Sequence, residues 1–214
     1  MKRIVWLRHG RTEWNNAGRF QGQTDVPLDE VGQGQAKRAA ELLVHLKPAA
    51  ILSSDLARAV STAEPLAALV GLPIVTDERL RETHAGEWQG LTHVQIRERF
   101  GDALDQWTAG ADVRPGGGET RFEVAERVRA AVLDALEVAS PHDTLVVVTH
   151  GGAARAGIGH MLGLPATSWS ALGVLANCSW SLMAESGLAE PASPFRLLEY
   201  NAGSLPTPVV GDDR

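Results

Sequence analysis

Three observations predict an α/β chain folded as a three-layer α/β/α sandwich around a mostly parallel sheet. The runs at residues 4–7 and 145–148 are continuously apolar, without the alternation of a half-exposed strand, as expected for strands covered on both faces. Amphipathic stretches of helical period separate the strand candidates. Strand and helix alternate along most of the chain, with no internal repeat and no linker-like composition.

Residues 3–7 read as a buried strand that ends in Arg8-His9-Gly10. Residues 10–28 lack a period and contain Gly18, Gly22 and Pro27, the composition of a long loop. Asp29 caps a helix to about Leu46 with Ala36, Ala39, Ala40, Leu43 and Val44 as its stripe, and Pro48 stops it. Residues 49–53 form a short strand. Ser54 or Asp55 caps the helix that follows, which ends at Gly71 with Pro73 beyond, and Pro65 predicts a kink or a break within it. Residues 73–76 are a third strand, and the aperiodic residues 79–90 a loop.

Thr92 caps a short helix to about Phe100, and residues 101–118 are the least regular stretch of the interior. Thr120 and Glu123 make a capping box for a helix with the stripe Val124, Ala125, Val128, Ala131, Val132, Ala135 and Leu136. Residues 144–149 read as a central strand, and a helix from Gly151 to Leu162 closes at Gly163-Leu164-Pro165. Residues 179–184 and 195–200 are late strands. The expected organisation is one domain over residues 1–201 and a flexible tail over 202–214.

Composition narrows the function classes. A net charge of −6 and a pI near 5.6 disfavour a nucleic-acid-binding role. They leave room for a small anionic substrate, because a few arginines can set the field inside a cleft. Cys178 is the only cysteine, so no intrachain disulfide forms and a reducing compartment fits. The apolar run behind Lys2 and Arg3 is too short for a signal sequence, and no run approaches the ~20 residues of a membrane span. A cytoplasmic protein without membrane association is the expectation.

Chemistry concentrates at the predicted strand ends. Arg8 and His9 follow one strand, Arg58 lies in the first turn of the helix after another, and His150 follows a third. A parallel sheet brings them to its carboxyl rim, where ligands bind in open α/β folds. Two guanidiniums and two imidazoles there suit a phosphate, since arginine forks match its oxygens and stay charged at any physiological pH. A neutral imidazole can also attack phosphorus to form a phosphohistidine.

The residues carry a family resemblance as well. Leu7-Arg8-His9-Gly10 with Thr12 and Asn15, Ser53-Ser54-Asp55-Leu56-Ala57-Arg58-Ala59, Leu80-Arg81-Glu82 before Gly86-Glu87-Trp88-Gln89-Gly90, and Val148-Thr149-His150-Gly151-Gly152 resemble, in order, four motifs of the histidine phosphatase superfamily, the phosphoglycerate-mutase-like proteins. The resemblance implies that fold and a metal-independent phosphoric monoester hydrolase without a cofactor. It implies His9 as the nucleophile, Arg8, Arg58 and His150 as holders of the phosphoryl oxygens, and Asn15 and the Gly151 amide as their assistants. It also implies Glu82 as donor to the leaving oxygen and then base for water. Thr12, Gln21 and His84 are further substrate-side candidates, with Gln21 equally able simply to hold its loop. Family members are often dimers, which makes a homodimer an expectation by analogy only.

Within the superfamily, Leu80-Arg81-Glu82-Thr83-His84, Gly86 to His93, Phe20-Gln21-Gly22-Gln23, Trp169-Ser170-Ala171-Leu172-Gly173 and Asn177-Cys178-Ser179-Trp180 are similar to actinobacterial phosphatases acting on glucosyl-3-phosphoglycerate to give glucosylglycerate. A broad-specificity phosphatase, a phosphoglycerate mutase and a catalytically silent binding or regulatory domain are the alternatives. Residues 91–118 offer Arg97, Arg99 and Arg114 without the paired arginines of the mutases, which favours hydrolysis. Gly116 to Gly118 do not have P-loop spacing. His84 and His93 lack the convergent carboxylate or cysteine partners of a zinc site.

Overall fold

Strand β1 (Arg3–Arg8) sends Ile4 and Trp6 into one hydrophobic core and Val5 and Leu7 into another. In the computed structural model, which describes residues 1–188 and 193–203, that alternation builds a six-stranded sheet between two helical layers. The strands are β1, β2 (Ala50–Ser53), β3 (Ile74–Thr76), β4 (Thr144–Thr149), β5 (Trp180–Glu185) and β6 (Phe195–Ala202), in the order β3-β2-β4-β1-β5-β6. The first four in chain order are mutually parallel, and the late pair β5 and β6 is added antiparallel. The helices are α1 (Glu13–Asn16), α2 (Glu30–Leu43), α3 (Ala57–Val70), α4 (His93–Thr108), α5 (Arg121–Glu137) and α6 (Gly151–Met161). Helices α2 and α3 cover the Val5 face, and α5 and α6 cover the Ile4 face.

Register fixes the working edge. Arg8 pairs with Thr149, and Ser53 with Val148. His9, His150 and Ser54 therefore leave three adjacent parallel strands at the same end of the sheet. Each sits one residue past its strand, where ladder hydrogen bonding ends and side chains are released to a common rim.

Most of the expected elements are present, and the differences have identifiable causes. The loop after β1 contains α1, a single turn started by Thr12, whose hydroxyl accepts from the Asn15 amide while Asn15 reaches back to Thr12. Neither Ser54 nor Asp55 caps α3 through its side chain. Leu56 is its N-cap residue, and Asp25, from the distant loop, accepts from the Ala57 amide at 2.9 Å. Asp55 is engaged by Arg81 instead. Pro65 lies inside α3, which continues from Ala57 to Val70 rather than stopping.

Helix α4 passes the expected stop at Phe100, whose φ of −138° marks a kink, and continues to Thr108. Its second half places Leu104 and Trp107 in a third apolar cluster with Ala85, Trp88, Ile96 and Phe20. Burial of that stripe offsets the poor helix propensity of Gly101. Strand β6 runs to Ala202, so the expected tail loses its first residue to the sheet, and residues 204–214 lie outside the described residues. Among the described residues no helix is long and apolar enough to cross a membrane.

Candidate active site

His9 is 3% exposed and held from several sides. Its amide donates to the Thr149 carbonyl at 3.0 Å, and its own carbonyl accepts from Asn177 Nδ2 and the Cys178 amide. The ring Nδ1–H donates to the Gly10 carbonyl at 2.7 Å. That bond assigns the tautomer: the other nitrogen, Nε2, carries the lone pair. Burial, reinforced by the Arg58 and then the Arg8 guanidinium, holds the imidazole well below its usual protonation range, although the Gly10 bond pulls the other way. A neutral, oriented imidazole is what nucleophilic attack requires.

Around it stand the cations. Arg8, 5% exposed, donates from Nη1 to the Leu175 carbonyl at 2.6 Å. Arg58 is fully buried and donates from Nη1 to the Thr24 carbonyl and from Nη2 to the Gly22 carbonyl, both at 2.7 Å. Burial lowers its guanidinium to about 10, still far above neutrality. Its Nε–H donates to His150 Nδ1 at 3.2 Å, so His150 is the Nε2–H tautomer and donates to Ser54 Oγ at 2.9 Å. His150 is 0% exposed, and burial and then Arg58 keep it neutral. Its ring centroid lies 5.1 Å from that of His9.

Glu82 faces this group from the start of α6. Its carboxylate accepts from the Gly152 amide at 2.9 Å, the Ala153 amide at 3.0 Å and the Thr83 amide at 2.8 Å. A Cβ on Gly152 would lie 2.7 Å from Glu82 Oε1, so only glycine admits this approach. The backbone behind Glu82 is fixed by Arg127 of α5, which donates to the carbonyls of Arg79, Arg81 and Glu82. Glu119 pairs with Arg127 at 2.8 Å and also accepts from the His84 amide. Sequence reasoning did not single out Arg127 or Glu119, and no local motif announces two residues whose partners are backbone carbonyls and amides some 35 to 48 positions away.

These groups open into a cavity of about 530 Å³ lined by Arg8, His9, Asn15, Gln21, Arg58, Glu82 and Gly151, among others. Asn15 Oδ1 is occupied by Thr12 and Asn177, which leaves its Nδ2 for the cavity. Gln21 Oε1 accepts from the Thr12 hydroxyl at 3.0 Å, which leaves its amide nitrogen. Thr12 itself is wholly buried and acts through these two neighbours. His150 is also absent from the lining and stands behind Arg58. His84, expected on the substrate side, does not join the group: its side chain is exposed and does not line the cavity, and its amide donates to Glu119. Arg97 and Arg114 pair with Asp105 and Glu123 at the surface and do not reach the cavity.

The outer half of the cavity is of different character. Phe20, Ile96, Leu104 and Trp107 form an apolar wall, and Arg121, Arg155, Thr108 and Ser170 bring polar groups to it. Phe20 and Ser170 fall in segments that the sequence resemblance had marked, whereas Ile96, Leu104, Trp107, Arg121 and Arg155 were not singled out. Arg155 was within reach, since it lies one helical turn after Gly151 on the same face of α6. Among the described residues no three His, Cys, Asp or Glu side chains group as a metal site requires. The arrangement as a whole can bind a phosphoryl group between guanidiniums and amides, attack it from Nε2, and exchange a proton on the opposite side.

Comparisons with known proteins point the same way. Residues 4–187 match the family profile described as the histidine phosphatase superfamily, branch 1. The chain is 42% identical over 206 residues to the glucosyl-3-phosphoglycerate phosphatase of Mycobacterium tuberculosis, covering 93% of this chain and 92% of that one. It is 40% identical over 183 residues to a metal-independent phosphoserine phosphatase of Arabidopsis thaliana, covering 82% and 73%. A mycobacterial glucosyl-3-phosphoglycerate phosphatase solved in complex with VO3 superposes with a TM-score of 0.89 at 41% identity, over 95% of this chain and all of that one.

Proposed function

The chain belongs to branch 1 of the histidine phosphatase superfamily and is a phosphatase of a small phosphorylated metabolite; we propose that the metabolite is glucosyl-3-phosphoglycerate and that His9 carries the phosphoryl group in transit. The observation that carries this reading is His9 Nε2, left with its lone pair by the Gly10 bond and set among Arg8, Arg58 and Asn15 at the floor of the cavity.

In the first half-reaction Nε2 attacks phosphorus, the N–P bond forms and the ester P–O bond breaks. Arg8, Arg58, Asn15 Nδ2 and the Gly151 amide hold the equatorial oxygens, on which charge accumulates. Glu82 gives its proton to the departing alkoxide. In the second half-reaction the Glu82 carboxylate takes a proton from water, the water oxygen bonds to phosphorus, the N–P bond breaks and phosphate leaves. His150 contributes by holding Arg58 through Nδ1. Hydrolysis rather than mutase chemistry is supported by the outward pairing of Arg97 and Arg114, which leaves the 91–118 segment without a second phosphate clamp.

The cavity volume supports a substrate larger than phosphoglycerate alone, within the ~300–1,000 Å³ range of small-ligand sites. The relatives named above act on a phosphoglycerate ester and on phosphoserine, both phosphate esters of a hydroxy acid. A panel of glucosyl-3-phosphoglycerate, 3-phosphoglycerate, phosphoserine and hexose phosphates, ranked by kcat/KM, tests the assignment. The first is expected to lead by at least about tenfold. A flat profile would establish a broad-specificity phosphatase in its place.

A further inference from the structure

Two arginines in the outer cavity take no part in the mechanism above. Arg121, at the start of α5, stacks its guanidinium 4.5 Å from the centre of the Trp107 ring and donates from Nη2 to the Trp107 carbonyl at 2.5 Å. Its Nε is buried, with no hydrogen-bond partner among the described residues. Arg155 lies on α6, one turn and about 6 Å beyond the Gly151 amide. Both side chains line the main cavity, and both line a small recess beside it with Thr83, Gly152 and Ser170. The guanidiniums are close enough that Arg155 adds to burial in lowering Arg121 to about 10, while Asp112 opposes them.

We propose that Arg121 and Arg155 form a carboxylate subsite that recognises the acid group of the leaving alcohol, so that the enzyme selects phosphate esters of hydroxy acids. This rests on the reading of the inner end as the phosphate site. The geometry favours a carboxylate over a second phosphate. Stacking and the Trp107 carbonyl occupy one face and one edge of Arg121, leaving the Nη1 side of the fork for a small, planar acceptor. One helical turn from the Gly151 amide to Arg155 is the scale of a three-carbon unit with phosphate at one end and carboxylate at the other.

The decisive pair of substrates is 3-phosphoglycerate and glycerol 3-phosphate, which differ in a carboxylate against a hydroxymethyl group. In the unaltered enzyme kcat/KM is expected to favour the acid by about tenfold or more, the usual worth of a charge-assisted hydrogen bond. In Arg155→Gln and in Arg121→Gln that ratio is expected to fall to within about threefold, mainly through KM for the acid, and Arg155→Lys to restore part of it. A ratio that does not change in either variant overturns the subsite. So does an equal loss on both substrates, which would mean that Arg121 only props Trp107. Phosphate release from an aryl ester without any preference between the matched pair removes the subsite and leaves the phosphatase intact. No release from any phosphomonoester removes both.

Discussion

The two ends of the cavity are built on opposite terms. At the inner end nearly every side chain is already bound to the protein: His9 to Gly10, Arg58 to Gly22 and Thr24, His150 to Ser54, and Glu82 to the first amides of α6. At the outer end the Arg121 guanidinium is bonded, among the described residues, through Nη2 alone, to the Trp107 carbonyl, beside a largely apolar wall. A preorganised end suits a group common to all phosphate esters, since fixed donors need no rearrangement as charge develops. An end with unmet hydrogen bonds suits discrimination, because a ligand lacking the matching group leaves those bonds unmade. Chemistry and selectivity are thus divided between the rim of the sheet and the helices above it.

The contrast can be broken most forcefully at its inner end. His9→Ala is expected to lower kcat by at least ~10⁴ and to remove the acid-labile phosphoenzyme trapped by rapid quench from labelled substrate, with the native circular dichroism spectrum retained. Retained turnover would move the nucleophile elsewhere. A smaller effect is expected from a residue that only positions. Arg127→Met leaves the carbonyls of Arg79, Arg81 and Glu82 without their donor, and displacing the Glu82 carboxyl by a fraction of an ångström should lower kcat roughly 10–100-fold with little change in KM. An aryl phosphate with a leaving group that needs no proton should recover most of that loss; an equal loss on every ester would reduce Arg127 to a fold-stabilising role.

The pH profile offers the mildest test. The folded His9 imidazole protonates well below 6.5, so the neutral form is present throughout the range above that depressed value. The acid limb of kcat/KM, corrected for ionisation of the substrate phosphate, should therefore fall below pH 6.5. The same shift, with that of His150, makes the unfolded chain the better proton binder, so stability should decline as pH falls through and below 6.5. An acid limb centred at 6.5 or above would show that His9 is not held neutral by its surroundings.

The same division governs what was legible in the sequence. Arg8, His9, Arg58 and His150 could be placed because each sits at a strand end or in the first helical turn after one, positions that a parallel sheet converts directly into proximity. The caps at Asp29 and Thr92 and the capping box at Thr120 were equally local. What escaped depends on contacts distant in sequence. Asp25 caps α3 from 32 residues away, Glu119 and Arg127 hold a loop they are not part of, and α4 passes Phe100 because its far half is covered by Trp88 and Phe20. His84 was a substrate-side candidate from the segment that carries the resemblance. Its side chain is exposed and outside the cavity lining, while its backbone amide donates to Glu119.

Glu82 has one more consequence, for how such a protein decays. Active-site groups are commonly a burden on the fold that carries them, and stability rises when they are lost. Here the carboxylate that serves the reaction also satisfies two of the open amides that begin α6, a service worth on the order of 1 kcal/mol in comparable helix caps. A lineage released from selection for turnover can discard His9 at little expense to folding, while discarding Glu82 exposes the helix start. Purifying pressure for a folded chain alone would keep the glutamate. Its presence in a degenerate descendant is therefore evidence of an intact helix, and the histidine is the better witness to a living enzyme.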